Sequence, residues 1–561
     1  MAANLADYFI RHLARPGTVL YRERDGSSAR AVTAGELARE IARWQAAFRR
    51  DGLVAGERIV LCARNSTEWV ATDLAALGMG LVVVPLYVDD NAESVAWCVA
   101  DAEARIVIAE NLRLAHGVRK ALATTAPAPR IVILRTDEAL PGDETILPVE
   151  RYLPAVGGDV EVQALPEGTL ATICYTSGTV GRPKGVMLSH GNIIANVTAC
   201  AATQMARPTD VFLSILPLSH MFERTGGYYL PLSLGATVAF ARGIARLPED
   251  FVEHAPTIIF AVPRIFERIR ARIERELATS PVRRYLFELC VATGVRIAGR
   301  RASPLEQLVG AGLRGLVAAP LLAKFGGRLR LAVIGGAALD PELARTFIGL
   351  GLTVLQGYGL TEASPVIAVN REDDNDPESV GPPLPGVEVR IADGGELLAR
   401  GGSVMRGYWR NEAATRTALD ADGWLHTGDL AEVSGGRIFI RGRVKDILVM
   451  SNGEKLSPQD VELAILRDPL FEQVMVVGEG RPFPVLLAVS PEADEKVLVR
   501  RANEQLKSFP RWVRMRSVIA SRDPWSVENG LLTPTLKLKR PELTQTLKVR
   551  IDAAYAALPQ D

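Results

Sequence analysis

The chain is poor in cysteine and carries no excess charge of either sign. Its 561 residues include five cysteines that are scattered and never form a C-x-x-C pair. That pattern argues against a disulfide scaffold or a structural zinc site, and it favours a reducing, cytoplasmic location. Lysine and arginine number 65, as do aspartate and glutamate, so the formal net charge is zero. We therefore expect no nucleic-acid partner, because the global positive field such a partner requires is missing.

Long apolar runs and several common catalytic patterns are also missing. The longest apolar run, Leu74–Val88, is interrupted by two glycines and Pro85, which predicts a buried helix end and strand rather than a membrane span. Met1–Arg15 lacks the basic start and apolar run of a signal peptide. No H-x-x-x-H pair and no G-x-S-x-G motif occurs, so the metalloprotease and hydrolase patterns are excluded.

What the chain does have is apolar material, 48% of its residues, arranged in alternating helical and strand patterns. Ala34–Arg50 and Ser66–Gly78, with Ser66 as N-cap, predict helices on either side of a buried strand at Arg58–Ala63. Such alternation predicts an α/β fold with a parallel sheet covered on both faces. From Gly381 onward, short alternating runs predict antiparallel β-structure, and a smaller unit begins after Gly442.

The most informative segment is Tyr175-Thr-Ser-Gly-Thr-Val-Gly-Arg-Pro-Lys-Gly185, which follows an apolar strand pattern. Its glycines let backbone N–H groups converge on an anion, its hydroxyls add donors, and Lys184 supplies a compact charge. The segment therefore predicts a phosphate-binding loop. It does not have the G-x-x-x-x-G-K-[ST] spacing of a Walker A loop.

Two further segments predict nucleotide contacts more weakly. In Gly357-Tyr-Gly-Leu-Thr-Glu362, Thr361 can donate to a phosphate and Glu362 can hold a hard cation. In Trp424-Leu-His-Thr-Gly-Asp-Leu430, Asp429 is suited to accept from two ribose hydroxyls. The alternative for this last segment is a simple Asx turn.

Two more segments complete the pattern, and a third matches a motif that its surroundings exclude. Gly442–Glu454 is rich in charge and glycine, and Glu528–Arg540 predicts a turn followed by an extended strand with Lys537 and Lys539 on one side. The alternative for that strand is a solvated basic edge. Gly310-Ala-Gly-Leu-Arg-Gly315 matches G-x-G-x-x-G, but it lies in a helical pattern and predicts close helix packing rather than dinucleotide binding.

Five segments, taken together and in order, resemble the adenylate-forming superfamily of acyl-CoA synthetases. They are the phosphate-binding loop, the segments that contain Glu362 and Asp429, Gly442–Glu454, and the segment that contains Lys537. The resemblance implies a large N-terminal domain of α/β sheets with a small β-barrel-like subdomain, residues 1–442. A small, mobile α+β C-terminal domain, residues 443–561, follows and carries the catalytic lysine. ATP, Mg²⁺ and coenzyme A are the implied cofactor and cosubstrates.

The resemblance also implies roles for individual residues. Lys537, Thr361, Glu362 and His220 are implied in catalysis, with Glu362 also holding Mg²⁺. The nucleotide-binding residues that it implies are Thr176, Ser177, Gly178, Thr179, Lys184, Gly336, Ala337, Tyr358, Asp429 and Arg443.

Several segments resemble the long-chain fatty-acid subgroup, among them Pro217–Glu223, Ala261–Arg268 and the helical stretch Arg264–Lys324. They imply that the chain forms acyl-AMP from a fatty acid and ATP, then acyl-CoA and AMP. The resemblance also implies a hinge at Arg443–Asp446, with Lys445 as pivot. A ligase that loads a carrier protein and a non-catalytic lipid-binding scaffold are the alternatives.

The stretch Arg264–Arg301 holds ten arginines against four glutamates. Peripheral contact with an anionic membrane, at its inner face, and an ordinary solvated helix surface are both open for this stretch. Oligomeric state is left open as well.

Overall fold

The computed structural model describes residues 3–25, 28–122, 128–136, 145–176, 182–444, 446–451, 453–527, 529–533 and 537–557. Within them the strands are, in chain order from β1 to β25, Val19–Asp25, Ser28–Thr33, Arg58–Cys62, Val82–Pro85, Ile106–Asn111, Arg130–Arg135, Ile146–Pro148, Leu170–Thr176, Lys184–Ser189, Val211–Ser214, Thr237–Phe240, Ile258–Ala261, Leu331–Ile334, Thr353–Gly359, Val366–Val369, Val387–Ile391, Glu396–Gly401, Gly407–Tyr408, Leu425–Ser434, Arg437–Arg443, Leu448–Val449, Lys455–Leu456, Gln473–Val477, Val485–Val489 and Val518–Ser521.

The α-helices of the same residues are, from α1 to α20, Asp7–Ile10, Ala34–Arg50, Thr67–Gly78, Ala92–Asp101, Leu112–Ala121, Val149–Tyr152, His190–Ala202, Met221–Glu223, Leu230–Leu234, Leu247–His254, Pro263–Leu277, Pro281–Ala298, Pro304–Leu313, Ala319–Ala323, Pro341–Gly349, Glu412–Ala418, Pro458–Ile465, Glu495–Gln505, Arg540–Thr546 and Lys548–Ala557. Two π-helical turns, Arg224–Tyr229 and Arg314–Ala318, continue α8 into α9 and α13 into α14.

The chain divides into two compact units. The larger comprises Met1–Val262, Leu277–Val389 and Ala399–Leu425, and the smaller comprises Pro263–Glu276, Arg390–Leu398 and His426–Asp561. The predicted domain boundary after residue 442 stays a prediction.

Two eight-stranded sheets form the larger unit, in the orders β15-β14-β13-β12-β10-β11-β1-β2 and β18-β9-β8-β4-β3-β5-β6-β7. In the first, the strands from β14 to β1 pair in parallel, and β15 and β2 are antiparallel edges. In the second, the strands from β8 to β7 are parallel, and β9 and β18 add antiparallel pairs. The predicted α/β fold is confirmed.

Local sequence explains several elements of the larger unit. The hydroxyl of Ser66 accepts from the Trp69 N–H at the start of α3, as its N-cap role predicts. Strands β3 and β4 are almost wholly buried, which parallel strands covered on both faces require. The run Leu74–Val88 forms the end of α3 and strand β4, as predicted.

The smaller unit contains the three-stranded sheet β23-β24-β25, with α17, α18, α19 and α20. Alternate residues of β23 enter two different apolar clusters: Val474 packs with Ile465 and Leu498, while Met475 packs with Trp525. This alternation is the two-residue period of a strand buried on both faces. A further sheet has the order β16-β17-β19-β20, with β19 antiparallel to β20.

Candidate active site

Strands β8 and β9 form the hairpin that carries the predicted phosphate loop. They pair antiparallel in a register that places Thr176 opposite Lys184, so the two residues face each other where the loop leaves the sheet. Buried Ala171 and Ile173 hold β8 in the core. The predicted residues Ser177, Gly178 and Thr179 lie outside the described residues.

Tyr408 joins Lys184 to Glu362. The Lys184 Nζ lies 5.1 Å from the centroid of the Tyr408 ring, and the Tyr408 hydroxyl donates to Glu362 Oε1 at 2.8 Å. Burial raises the pKa of Tyr408, and the negative charge of Glu362 raises it further, so the phenol stays a donor. The phosphate-loop lysine and the predicted cation ligand therefore belong to one cluster.

Tyr408 is not predicted from the sequence, because a tyrosine after a glycine matches no catalytic motif. Its position follows from strand pairing: β18 lies beside β9, with Tyr408 opposite Val186 and Gly407 opposite Met187. The Tyr408 backbone N–H also donates to the Thr415 hydroxyl at 2.9 Å, which anchors the strand.

Thr361 and Glu362 form a 3₁₀ turn directly after β14. The turn needs glycine at Gly359, because a Cβ there would lie 1.9 Å from the Pro365 carbonyl oxygen. The Leu360 N–H donates to that same carbonyl at 2.9 Å and closes the turn. The predicted phosphate and cation ligands thus stand at the carboxyl end of a parallel strand.

The predicted adenine-pocket residues lie on neighbouring strand ends. Gly336 and Ala337 follow β13, Tyr358 is near the end of β14, and β13 and β14 are parallel neighbours. Gly336 has φ +81°, and a Cβ on Gly335 would lie 3.2 Å from the Gly357 carbonyl oxygen, so the two strand ends approach closely. The carboxyl edge of an α/β sheet is where such folds bind ligands.

His220 reaches this same edge from β10. It is the N-cap of α8, and its Nδ1 accepts from the Phe222 N–H at 3.2 Å, so the neutral ring carries its hydrogen on Nε2. The Phe222 ring lies 3.2 Å from the position that a Cβ on Gly335 would take. The His220 segment is therefore adjacent to the loop that carries Gly336.

A buried polar network, also missed from sequence, supports β8. Fully buried Arg224 donates to Asp73, which is equally buried, and to the Thr172 hydroxyl of β8 at 2.8 Å. The hydroxyls of Tyr228 and Tyr229 donate to the Asp73 carboxylate at 3.1 and 2.9 Å. Helix α3, the π-helical turn and the strand entering the phosphate loop are thereby tied together.

In the smaller unit, Asp429 and Arg443 face each other across β19 and β20. The Arg443 Nε donates to Asp429 Oδ1 at 2.9 Å, with 6% of the Asp429 side chain and 46% of the Arg443 side chain exposed. Gly428 has φ +72°, and its N–H donates to Glu396 at 2.9 Å, which fixes the backbone before Asp429. The pair has the charge and geometry to hold a ribose through the carboxylate.

Lys537 is exposed beside a short backbone closure in the same unit. Its N–H donates to the Thr533 hydroxyl at 3.0 Å, and its carbonyl accepts from the Thr533 N–H at 2.8 Å. Of the predicted extended strand with Lys537 and Lys539 on one side, the described residues 537–539 form one β-bridge and no longer strand, and residues 534–536 lie outside the described residues. The bridge joins Leu532 to Leu538, and Lys539 stands at the N-cap position of helix α19, which begins at Arg540.

The predicted site residues fall into two groups. The larger unit brings together the described residues Thr176, Lys184, His220, Gly336, Ala337, Tyr358, Thr361 and Glu362. The smaller unit holds Asp429, Arg443 and Lys537. Lys445, the predicted pivot, lies outside the described residues.

Known proteins resemble this chain along most of its length. Residues 14–409 match the AMP-binding enzyme family, and residues 445–559 match the AMP-binding enzyme C-terminal domain. The long-chain-fatty-acid–CoA ligase FadD15 of Mycobacterium bovis is 32% identical, covering 96% of this chain and 95% of its own. The peroxisomal long chain acyl-CoA synthetase 7 of Arabidopsis thaliana is 31% identical, covering 94% and 82%.

A solved structure gives the same fold. The anthranilate CoA ligase AuaEII in complex with anthranoyl-AMP matches with a TM-score of 0.80 at 20% identity, over 98% of this chain and 100% of that one. The chain therefore belongs to the AMP-binding enzyme family, and its predicted resemblance to the long-chain fatty acid–CoA ligases is confirmed.

Proposed function

We propose that this chain activates a long-chain fatty acid with ATP, forming acyl-AMP and pyrophosphate, and then transfers the acyl group to coenzyme A with release of AMP. The observation that carries this proposal is the contact chain Lys184–Tyr408–Glu362, which joins a phosphate-loop cation to a cation-binding carboxylate. Family membership supports ATP and coenzyme A as cosubstrates, and the fatty-acid ligases among the relatives support the substrate class.

In the first step, a carboxylate oxygen of the fatty acid bonds to the α-phosphorus of ATP while the bond to the pyrophosphate oxygen breaks. Charge grows on the transferring phosphoryl oxygens, so catalysis depends mainly on positioning and charge compensation. Lys184 and the Thr361 hydroxyl bind the phosphates of ATP. Lys537 neutralises the developing charge beside the attacking carboxylate.

The adenine and the ribose of the nucleotide are bound by separate residues. Tyr358 stacks on the adenine, with Gly336 and Ala337 lining the same pocket. Asp429 accepts from the ribose hydroxyls, and its hydrogen bond from Arg443 keeps the carboxylate oriented. Two hydrogen bonds to one carboxylate favour the ribose over a base or phosphate, which lacks paired hydroxyls.

The residues around Glu362 fit Mg²⁺. Magnesium binds proteins through one or two carboxylates and completes its shell with water and substrate phosphate oxygens. Glu362 has a second carboxylate oxygen besides the one that accepts from Tyr408, and Thr361 stands next to it in the same turn. A bound Mg²⁺ would offset negative charge on the phosphate oxygens.

His220 is assigned to the carboxylate end of the acyl site. Its Nδ1 accepts from the Phe222 N–H, which orients the ring, and we assign the Nε2 side of the ring as the donor to the fatty carboxylate. Such a donor orients the attacking oxygen without forming a covalent bond.

In the second step, the thiol sulfur of coenzyme A bonds to the acyl carbon, the bond to the AMP oxygen breaks, and the thiol proton passes to solvent. We assign Lys537 to the first step alone.

A coupled AMP-release assay tests the proposal. Purified protein is supplied with ATP, Mg²⁺ and carboxylates from acetate to oleate, with and without coenzyme A, and with an acyl-carrier protein in a parallel arm. We expect AMP release that requires coenzyme A and is strongest with long chains. Turnover that needs the carrier protein instead, or no ATP use with any fatty acid, contradicts the proposal.

A further inference from the structure

The helix Pro304–Ala323, formed by α13, the π-helical turn Arg314–Ala318 and α14, turns an apolar stripe towards solvent. Among the described residues, one helix is long and apolar enough to cross a membrane by length and composition, and it is this one, with 17% of its most apolar window buried. Leu305, Leu308 and Leu316 are 70%, 73% and 66% exposed. Small or apolar residues continue the stripe at the same helical spacing, namely Val309, Gly312, Ala319, Pro320 and Ala323.

The stripe is not used for packing within the larger unit. The opposite face of the helix packs against the rest of the larger unit. Gly310 lies against α12, since a Cβ added to Gly310 would come within 2.4 Å of Ile297, and Leu313 and Ala318 are buried. The predicted close helix packing at Gly310 is therefore confirmed, while Gly312 and Gly315 face open space. Apolar side chains aligned along an exposed helix face mark a surface that binds something apolar.

The chain segment that contains the stripe has an excess of positive charge. Between residues 278 and 329, eight arginines and lysines stand against two glutamates. One of the two, Glu306, is paired with Arg296 at 2.8 Å and closes the capping box with Ser303. The guanidinium of Arg314, in the middle of the helix, lies back against Gly351.

The ends of the helix carry the remaining cations. Exposed Arg300 and Arg301 precede it, and exposed Lys324 and Arg328 follow it. Helix α12, its antiparallel neighbour, adds the exposed pair Arg283 and Arg284 between two exposed apolar side chains, Val282 and Tyr285. An apolar stripe with exposed cations at both ends of its helix and on the neighbouring helix complements a bilayer of anionic lipids, whose acyl chains lie beneath negative headgroups.

We propose that the Pro304–Ala323 helix docks the protein peripherally on an anionic lipid bilayer, lying in the interfacial plane with its stripe among the acyl chains. The helix does not span the bilayer, because its other face packs along α12. A long-chain fatty acid partitions into the same layer, so docking brings the protein to its substrate; this last point alone rests on the proposed function.

Vesicle sedimentation without ATP or coenzyme A tests the docking independently of catalysis. The full chain is mixed with vesicles of phosphatidylcholine, or of phosphatidylcholine with an equal share of phosphatidylglycerol. We expect binding to the anionic vesicles that weakens with salt. The double variant Leu308→Glu/Leu316→Glu should lose about tenfold or more of that binding, because each change removes apolar area and adds a repelled charge.

The matched control is Val54→Glu/Val156→Glu, at valines that are 62% and 81% exposed elsewhere in the larger unit, and it should bind like the wild type. Arg283→Ser/Arg284→Ser should weaken binding to anionic vesicles, whereas Arg113→Ser/Arg207→Ser should not. Equal loss in the control, or undiminished binding by the stripe variant, overturns the proposal. The proposal is also overturned if the wild type does not bind vesicles and instead forms dimers that dissociate in the stripe variant, since the partner of the stripe is then a second copy of the chain.

A second arm separates docking from the proposed function. With oleate supplied in vesicles, the stripe variant should release AMP more slowly than the wild type, while both should act equally on oleate dispersed in detergent. If the protein does not bind vesicles but still turns over oleate in detergent, the docking proposal is wrong and the proposed function is retained. If it binds vesicles but shows no turnover, the proposed function is wrong and the docking proposal is retained.

Discussion

The Tyr408 hydroxyl donates a hydrogen bond to the Glu362 carboxylate at 2.8 Å, and the ring of the same tyrosine lies beneath the ammonium group of Lys184. Two residues that are 178 positions apart in the chain are thus held in one cluster by a third that neither motif contains. Tyr408 acts as a positioning residue: it fixes Glu362 and gives Lys184 an aromatic face to rest on.

Tyr408→Phe should therefore weaken adenylation by roughly tenfold or more, because a hydrogen bond to a carboxylate contributes about 1.5–3 kcal/mol. The measurement is fatty-acid-dependent ATP–pyrophosphate exchange across a Mg²⁺ titration, where we expect a higher Mg²⁺ requirement. Tyr285→Phe, at an exposed tyrosine, is the control. Exchange and Mg²⁺ dependence that match the wild type would show that the contact is only structural.

Lys537→Ala should slow acyl-AMP formation by orders of magnitude and largely spare thioester formation from supplied acyl-AMP. The reason is that charge on phosphoryl oxygens develops in the first step. Lys539→Ala should have a small effect on both half-reactions, since Lys539 stands at the N-cap position of α19 and makes no side-chain capping bond there. The test is to measure the single-turnover rate of each half-reaction separately. If Lys537→Ala slows both half-reactions equally, the assignment of Lys537 to the first step is wrong.

Asp73→Asn and Arg224→Met should each destabilise the protein by about 3–5 kcal/mol, because each leaves an uncompensated polar partner in the core. The double variant Asp73→Leu/Arg224→Met should recover part of that loss. Glu412→Gln, which breaks the exposed pair with Arg416, should cost about 0–1 kcal/mol. Urea unfolding measures all of them, and small, additive effects at Asp73 and Arg224 would mean that the network does not anchor β8.

Glu223 should make stability pH-dependent. Its side chain is fully buried against Gly227, and burial raises the pKa of the carboxyl from 4.5 to about 8. The folded state therefore holds a proton that the unfolded state releases above pH 4.5. Stability should fall by about 1.4 kcal/mol per pH unit between these two values and level off above them.

Glu223→Gln should remove this slope, because the amide does not titrate. Urea unfolding of both proteins at intervals from pH 5 to pH 9 makes the comparison, with Glu167→Gln, at an exposed glutamate, as control. Parallel pH profiles for wild type and Glu223→Gln would show that Glu223 is already ionised in the folded state.

Local signals predicted much of this fold, and long-range ones were missed. Ser66 is a helix cap and Gly310 a packing glycine because both depend on residues nearby in sequence or on one helix face. By contrast, β1 and β2 were not predicted, since their polar and charged residues carry no clear alternation. Ser457 stands at the N-cap position of α17, where serine is a preferred residue, yet its hydroxyl makes no capping bond.

The residues of the candidate site also divide into those that a local motif predicts and those that depend on long-range contacts. The motifs of Lys184, Glu362 and Asp429 were recognisable because each concentrates special residue types in a few positions. Tyr408, and the pair of Arg224 and Asp73, have no such local pattern. Their roles arise from the pairing of β18 with β9 and from burial beside β8, which a single sequence does not encode in any short segment.

The most direct test of the central claim is oleate-dependent ATP–pyrophosphate exchange without coenzyme A, run on the wild type beside Glu362→Gln and the exposed-site control Glu167→Gln. We expect clear exchange by the wild type and by Glu167→Gln, and a loss of two or more orders of magnitude for Glu362→Gln. Wild-type protein that gives no exchange, or Glu362→Gln that exchanges as fast as the wild type, would contradict this claim.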